Sequence, residues 1–410
     1  MVHPLAPLSE ASAIPRVRRL SDRHIAVGER WIFSAGFNVR SDLADTGRVD
    51  VELADIARLA DAGARVAVVS HQGSYRDGTA RHLDFVACHL TALLGRAVRY
   101  VPGTVSDAAV RAARALRPGE VALFGNVRLH AGEEANDPRF AARLAMLGDR
   151  VAVGGFSKAH RRNASNVGVL RLLPGFAAAS LLAEAERLRP WSGRDSGRYS
   201  VAVLGGTKPE KTEIGLVHLA STYDLVIPGG AVLNALLAAR GHRIGASVLG
   251  GGGRRCVATA AEVMARTDRC EIHVPRRVVV APAGAPYSPR RVVDLDDGVP
   301  PGHAVVDFLL SPWARDRLRR LAADGGRALV AGPPGMPTPA GTDSWRALGR
   351  YFSAPRVRTL LLGGDTVAEL PYEGPASTGG GAALYQLAHG TVPVLDELAR
   401  SAAHMSDMPA

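Results

Sequence analysis

Short apolar, β-branched runs recur along this chain, each closing on a glycine or a polar turn, and helically spaced apolar residues usually follow them. The pattern predicts strands at 32–39, 65–71, 121–127 and 151–156, then a second series at 201–206, 224–229, 272–281, 328–332 and 359–364. Helical spacing lies between them, as at 51–62, 138–147, 213–221 and 257–266. Strands alternating with helices predict parallel sheets covered by helices. The first series ends in a helical pattern at 177–188. A polar stretch at 190–198 follows, and a new series begins at Tyr199. The expected fold class is therefore α/β: two doubly wound, Rossmann-like parallel-sheet domains joined by an interdomain helix. The first twenty residues, rich in Pro, Ala and Arg, read as a loose tail.

Composition narrows the partners. The chain has 410 residues, 47% apolar and 22% charged, as expected for a globular protein with two sizeable cores. Its net charge of +11 comes from dispersed arginines apart from Arg16, Arg18 and Arg19. No aromatic-interleaved basic patch accompanies them, so small anions are expected rather than nucleic acid. No apolar run reaches transmembrane length and no signal-peptide core opens the chain, so no membrane partner and a cytoplasmic location are expected. Cys88, Cys256 and Cys270 are too few and too scattered for a disulfide framework or a zinc site, and read as small core residues.

Lysine is the rarest cation, present only at Lys158, Lys208 and Lys211. Two of the three share the turn Gly205-Gly206-Thr207-Lys208-Pro209-Glu210-Lys211, which follows a strand and opens a helix. Glycines let a backbone approach a phosphate, and a compact ammonium suits a transferring phosphoryl group. Two similar turns follow, Gly363-Gly364-Asp365-Thr366 and Ser377-Thr378-Gly379-Gly380-Gly381-Ala382. Taken singly, each is equally a plain strand-to-helix connection, with Asp365 and Thr366 as N-caps. Together they point to a triphosphate, with Asp365 beside Mg²⁺. The first half offers cations at strand ends instead: Arg48, His71, Arg128, His160, Arg161 and Arg162.

These segments resemble phosphoglycerate kinase, in colinear order from about Trp31 to about Arg400. The most specific runs from Asn126-Val127-Arg128-Leu129-His130 to Phe140, then through Ala159-His160-Arg161 to Ser165-Asn166-Val167-Gly168. Phe37-Asn38-Val39, Ser70-His71-Gln72-Gly73, Ile244-Gly245, Gly332-Pro333 and the three glycine turns complete it. The resemblance implies an acid-binding domain at 1–185, a nucleotide-binding domain at 186–392, and a tail at 393–410 packed back on the first. It implies a monomer that uses ATP and Mg²⁺. Asn38, Arg48, His71, Arg128 and Arg161 would hold a small anionic carboxylic acid. Gly206, Lys208, Lys211, Gly230, Gly332, Pro333, Gly363, Gly364, Asp365 and Thr366 would hold the nucleotide, with Asp365 as the metal ligand. Arg48, Lys208, Gly364 and Gly380 would act on the transferring group.

The departures from that family bear on substrate. Gly36 stands where the family has a substrate-binding Asp. Ser74 stands where it has an Arg, with Arg76 two residues on, and Arg40 replaces a Pro. Thr338 stands where a Glu holds the ribose, Ala331 departs from the same motif, and Pro228 replaces the first Gly of a triple-glycine turn. The implied activity is transfer of a phosphoryl group to a carboxylate, with 3-phosphoglycerate or a related phosphorylated or phosphonate acid as acceptor. The alternative is a decayed kinase scaffold that binds or regulates. A nicotinamide dehydrogenase is disfavoured, since no Gly-x-Gly-x-x-Gly follows a strand with a downstream acid.

Overall fold

The computed structural model describes residues 16–193, 197–266, 270–286, 289–336 and 343–406. They form two compact units, one holding residues up to 187 together with the chain from 391, the other holding 188–390. No helix among the described residues is long and apolar enough to cross a membrane.

The first unit is built on β1 (Arg30–Ser34), β2 (Arg65–Val69), β3 (Val98–Val101), β4 (Val121–Phe124), β5 (Arg150–Val153) and β6 (Gly175–Ala177). They form one parallel sheet in the order β3-β4-β2-β1-β5-β6. The central strands are buried on both faces, which is why they read as continuous apolar runs. In register, Ser34 at the end of β1 lies beside both Val69 and Val153. The loops that follow β1, β2 and β5 therefore leave the sheet side by side. The order reverses at β1, the position where open α/β sheets place ligands. The helix Pro393–Ser406 belongs to this unit: Val394 N–H donates to Ala159 O at 3.2 Å, and Arg18 donates to Ser401 Oγ at 3.0 Å. Residues 16–20, expected in a loose tail, are docked. Arg19 bridges Ala177, and Leu20 is fully buried.

The second unit carries β7 (Tyr199–Leu204), β8 (Leu225–Pro228), β9 (Glu271–Ile272), β10 (Arg277–Pro282), β11 (Arg291–Asp294), β12 (His303–Phe308), β13 (Gly326–Ala331), β14 (Val357–Leu362) and β15 (Ala376–Ser377). Six of these form a second parallel sheet, β15-β14-β13-β7-β8-β9. Its order reverses between β7 and β13, where Leu204 pairs with Ala331. The remaining three form an antiparallel sheet, β11-β10-β12. The single strand expected at 272–281 is thus two strands in two sheets. Pro275 has no N–H for a ladder, and the chain leaves one sheet there and joins the other. The stretch 213–221 is a π-helical turn, Lys211–Leu216, running into the α-helix Val217–Thr222. Of the cysteines, all free, Cys256 is buried as expected, but Cys88 is exposed on the helix Asp84–Leu94.

Candidate functional site

At the carboxyl edge of the first sheet, five of the expected residues converge. Arg48, in the short helix Gly47–Asp50, donates through Nη1 to Asn38 O at 3.0 Å. Asn38 Oδ1 accepts from Gly73 N–H at 3.2 Å, and the carbonyl of the same Gly73 accepts from Arg128. Asn126 fixes this corner: its Oδ1 takes the N–H of Arg128 at 2.9 Å, and its Nδ2 donates to Gln72 O and Arg81 O, both at 2.8 Å. Arg128 is 5% exposed, and burial, then Arg161, lower its pKa while Glu134 and Glu133 oppose this. Arg161 is exposed, its carbonyl held by Asn166 Nδ2 at 3.0 Å. His71, 6% exposed, lies among them. Burial first, then Arg128, Lys158, Arg161 and Arg48, hold its imidazole well below the usual histidine range. The ring is therefore neutral at pH 7 and supplies one donor and one acceptor.

Where the family resemblance leads one to expect another Arg, Ser74 caps a turn. Its N–H donates to Thr79 Oγ1 at 2.9 Å and its Oγ accepts from Asp77 N–H at 3.4 Å. Arg76 lies 3.6 Å from Glu134, the carboxylate that also sits 4.0 Å from Arg128, and its side chain is 79% exposed.

The edge of the second sheet is made largely of backbone. After β7 and β13 the two loops approach so closely that a Cβ on Gly205 would lie 1.9 Å from Pro333 O, and one on Gly332 2.2 Å from Gly205 O. Gly332 also has φ +104°, which favours glycine. The loop after β8 joins them: Gly230 N–H donates to Pro334 O at 3.2 Å, and Ala231 N–H to Gly206 O at 2.9 Å. Lys211 Nζ donates to Ala331 O at 3.0 Å, across the reversal point, whereas Lys208 is exposed on the same turn. Beyond β14, Gly363 N–H donates to Ser377 O at 2.8 Å, and Gly379 N–H to Ser377 Oγ at 3.1 Å, so two of the glycine turns meet. Gly364 opens the helix Gly364–Glu369 and Gly380 precedes Gly381–His389. Asp365 is the second residue of the first of these helices. Thr366 is 2% exposed and its hydroxyl donates to Leu362 O at 2.6 Å, so that hydroxyl is committed to the helix. Thr338 lies outside the described residues.

Sequence reasoning missed three residues under the first edge: Glu52, Glu133 and the role of Lys158. Glu52 had a readable signal, being a carboxylate on the apolar stripe of Ile56 and Leu59.

The comparisons with known proteins bear on the family and the fold. A family model described as phosphoglycerate kinase matches residues 26–389. The phosphoglycerate kinase of Rhizorhabdus wittichii is 34% identical over 385 residues, covering 90% of this chain and 95% of the relative. That of Moorella thermoacetica is 35% identical over 371 residues, covering 87% and 92%. Among solved structures, phosphoglycerate kinase from Coxiella burnetii superposes with a TM-score of 0.70 at 25% identity, covering 95% of this chain and 100% of that one. The enzyme from Pyrococcus horikoshii gives 0.75 at 24% identity, covering 94% and 99%, a likeness of fold. The chain belongs to the phosphoglycerate kinase family, phosphotransferases that use a carboxyl group as acceptor and, in general, ATP with Mg²⁺.

Proposed function

We propose that this chain transfers the γ-phosphoryl group of ATP to the carboxylate of a small phosphorylated or phosphonate acid, giving an acyl phosphate. The observation that carries this reading is the hydrogen-bonded convergence of Arg48, Asn38 and buried Arg128 at the sheet edge that also holds buried His71. Arg128 and Arg161 take the acid's phosphate or phosphonate, as planar donors matched to such groups. Asn38 and His71 orient its carbon chain. A carboxylate oxygen attacks the γ-phosphorus, the bond from that phosphorus to the β,γ-bridging oxygen breaks, and ADP leaves. A carboxylate is already ionised at pH 7, so no general base is needed and catalysis is positioning and charge neutralisation. Arg48 and Lys208 share the charge on the transferring group, and Gly364 and Gly380 offer backbone N–H groups. The reaction requires the two edges to be brought together at turnover.

The residue types fit Mg²⁺: an Asp at position 365, near the start of the helix Gly364–Glu369, is a hard oxygen donor that would hold such an ion together with phosphate and water oxygens. Bound there, Mg²⁺ would neutralise phosphate charge.

The acid differs in shape from 3-phosphoglycerate. Gly36 offers no carboxylate to a substrate hydroxyl, a contact worth roughly 1 kcal/mol, and Ser74 removes a charged contact worth about 1.5–3 kcal/mol. Together they weaken 3-phosphoglycerate by roughly two to three orders of magnitude. The identity to named phosphoglycerate kinases favours 3-phosphoglycerate itself as the second reading. ADP release with a panel of acids separates the two. Saturable turnover of 3-phosphoglycerate at the rate of a glycolytic enzyme removes the specialised acid. A calorimetric titration with Mg·ATP that shows no binding removes the kinase and leaves the decayed scaffold.

A further inference from the structure

We propose that Lys158 and Glu52 are positioning residues of the acid site: a buried acid and a buried base that hold the Gly36–Asn38 turn and the Lys158–Arg161 turn in place. This rests on reading that sheet edge as the acid site.

Both groups are buried, Glu52 at 1% and Lys158 at 3% exposure. Glu52 rises from the helix-turn region after Arg48, and its Oε1 accepts the N–H of Gly36 at 2.9 Å. It occupies space that side chains elsewhere would need. A Cβ on Gly36 would lie 3.3 Å from Glu52 Oε1, and one on Gly154 would lie 2.3 Å from Glu52 Oε2. Gly36 and Gly155 also touch, since a Cβ on Gly36 would come within 2.7 Å of Gly155 Cα. Glycine at 36 and 154 is therefore the counterpart of glutamate at 52. The missing side chain at Gly36 is not an empty place but one filled from another element.

Lys158 completes the arrangement. Its Nζ donates to Ser34 Oγ at 2.5 Å and to Asn166 Oδ1 at 2.9 Å. Asn166 in turn donates to the carbonyls of Lys158 and Arg161, at 3.1 and 3.0 Å. Ser34 donates to Ser165 O at 2.8 Å, and Ser165 is held by Glu133 through both its N–H and its hydroxyl. The ammonium thus ties the end of β1 to the turn that carries Arg161, while Glu52 ties down the turn that carries Asn38. Each lies in the other's field, and Lys158 also faces buried Glu133, so a change at one is felt at the other. The charged and titratable groups facing the pair are Glu133, Asp55, Arg128 and His71. The space around Lys158 is tight: a Cβ on Gly155 would lie 2.8 Å from Lys158 Cε.

The test uses Glu52→Gln, Lys158→Met and the double variant in the full chain, with 3-phosphoglycerate and ATP as the varied substrates. Lys158→Met raises the KM for the acid about tenfold and leaves that for ATP within about twofold, since misplaced binding groups cost affinity only where they act. The double variant removes both members of the pair together, so it serves where Lys158→Met fails to fold, and the acid's KM stays raised. Equal changes in both KM values, or an unchanged acid KM in a folded double variant, overturn the proposal. The His71 ring resonance, titrated with inorganic phosphate, is the second readout. Phosphate shifts it in the natural chain, and about tenfold more phosphate is needed in the variants. If the natural chain turns over no acid, the proposed function falls, and this resonance alone then decides the positioning pair: equal phosphate dependence in all chains overturns it.

Discussion

The two parallel sheets share a topology of reversal but equip their carboxyl edges differently. In the function proposed above, the chemistry at the first lies in side chains, Arg48, Arg128, Arg161 and His71, the arginines placed by hydrogen bonds and His71 buried among them. At the second, it lies in backbone, where glycines let the loops after β7, β8 and β13 interlock. A backbone edge recognises what every nucleotide has, its phosphates. A side-chain edge recognises one acid and changes when one side chain changes. Departures from the family fall at both edges, Gly36 and Ser74 at the first and Pro228 and Ala331 at the second, but only those at the first are expected to change which acid is held.

The sharpest way to break this comparison is Lys208→Ala, which removes a side chain from the backbone edge. Turnover on whichever acid works is expected to fall about a hundredfold or more, close to 2.7 kcal/mol in the barrier. Unchanged kcat would refute the role given to Lys208. Next in size is Arg128→Met at the other edge. The acid's KM should rise by one to two orders of magnitude, about 1.5–3 kcal/mol for a charged hydrogen bond, while that of ATP stays constant. Steady-state kinetics with each substrate varied in turn would show a parallel rise if the two edges were not specialised.

Acid sharpens the contrast in stability. In the second unit, burial holds His218 down to about 3 and His273 down to about 4. His273 is fully buried and accepts the N–H of Ser311 at 3.2 Å, which requires the neutral ring. Groups whose folded pKa is depressed contribute stability above the unfolded value, near 6.5, and that stability is lost as pH falls towards the folded one. In the first unit His71 and His130 have the same sign, but Glu52 and Glu133, raised by burial, have the opposite one: their contribution grows as pH falls through their raised values, whereas the second unit sets one such acid, Asp307, against its two histidines. Between about pH 6.5 and 4.5 the second unit should therefore lose protection against hydrogen exchange more steeply than the first. Equal loss would show that the buried acids do not offset His71.

The smallest expected effect is Arg76→Ala. Its pair with Glu134 is exposed, so stability should change by less than about 0.5 kcal/mol, and the acid's KM should stay within about twofold. A tenfold rise would make Arg76 the functional replacement for an arginine at 74.

Much of this was legible in the sequence, for physical reasons. The buried ends of β2, β7 and β14, Val66–Val69, Val201–Leu204 and Leu360–Leu362, read as unbroken apolar runs. The residues that follow them, His71, Lys208 and Asp365, could be placed at an edge from that alone. Short or mixed strands were not legible: β3 reads Val-Arg-Tyr-Val, and β12 begins at a histidine. Nor was the change of sheet at Pro275, because a proline shows a break but not where the chain goes next. In the site, the cations were readable and their support was not. Glu52 stands out as a carboxylate on an apolar stripe, but what it faces, Gly36 and Gly154, is set only by the fold.

The account's central claim is an acid site that grips anions through cations and makes no use of a substrate hydroxyl. The most direct test compares kcat/KM for 3-phosphoglycerate with that for its analogue lacking the C2 hydroxyl, at saturating Mg·ATP. With no side chain at 36, the two values should agree within about threefold. A site built to hydrogen-bond that hydroxyl rejects the analogue by about 10⁴-fold or more, and such a ratio would contradict the account.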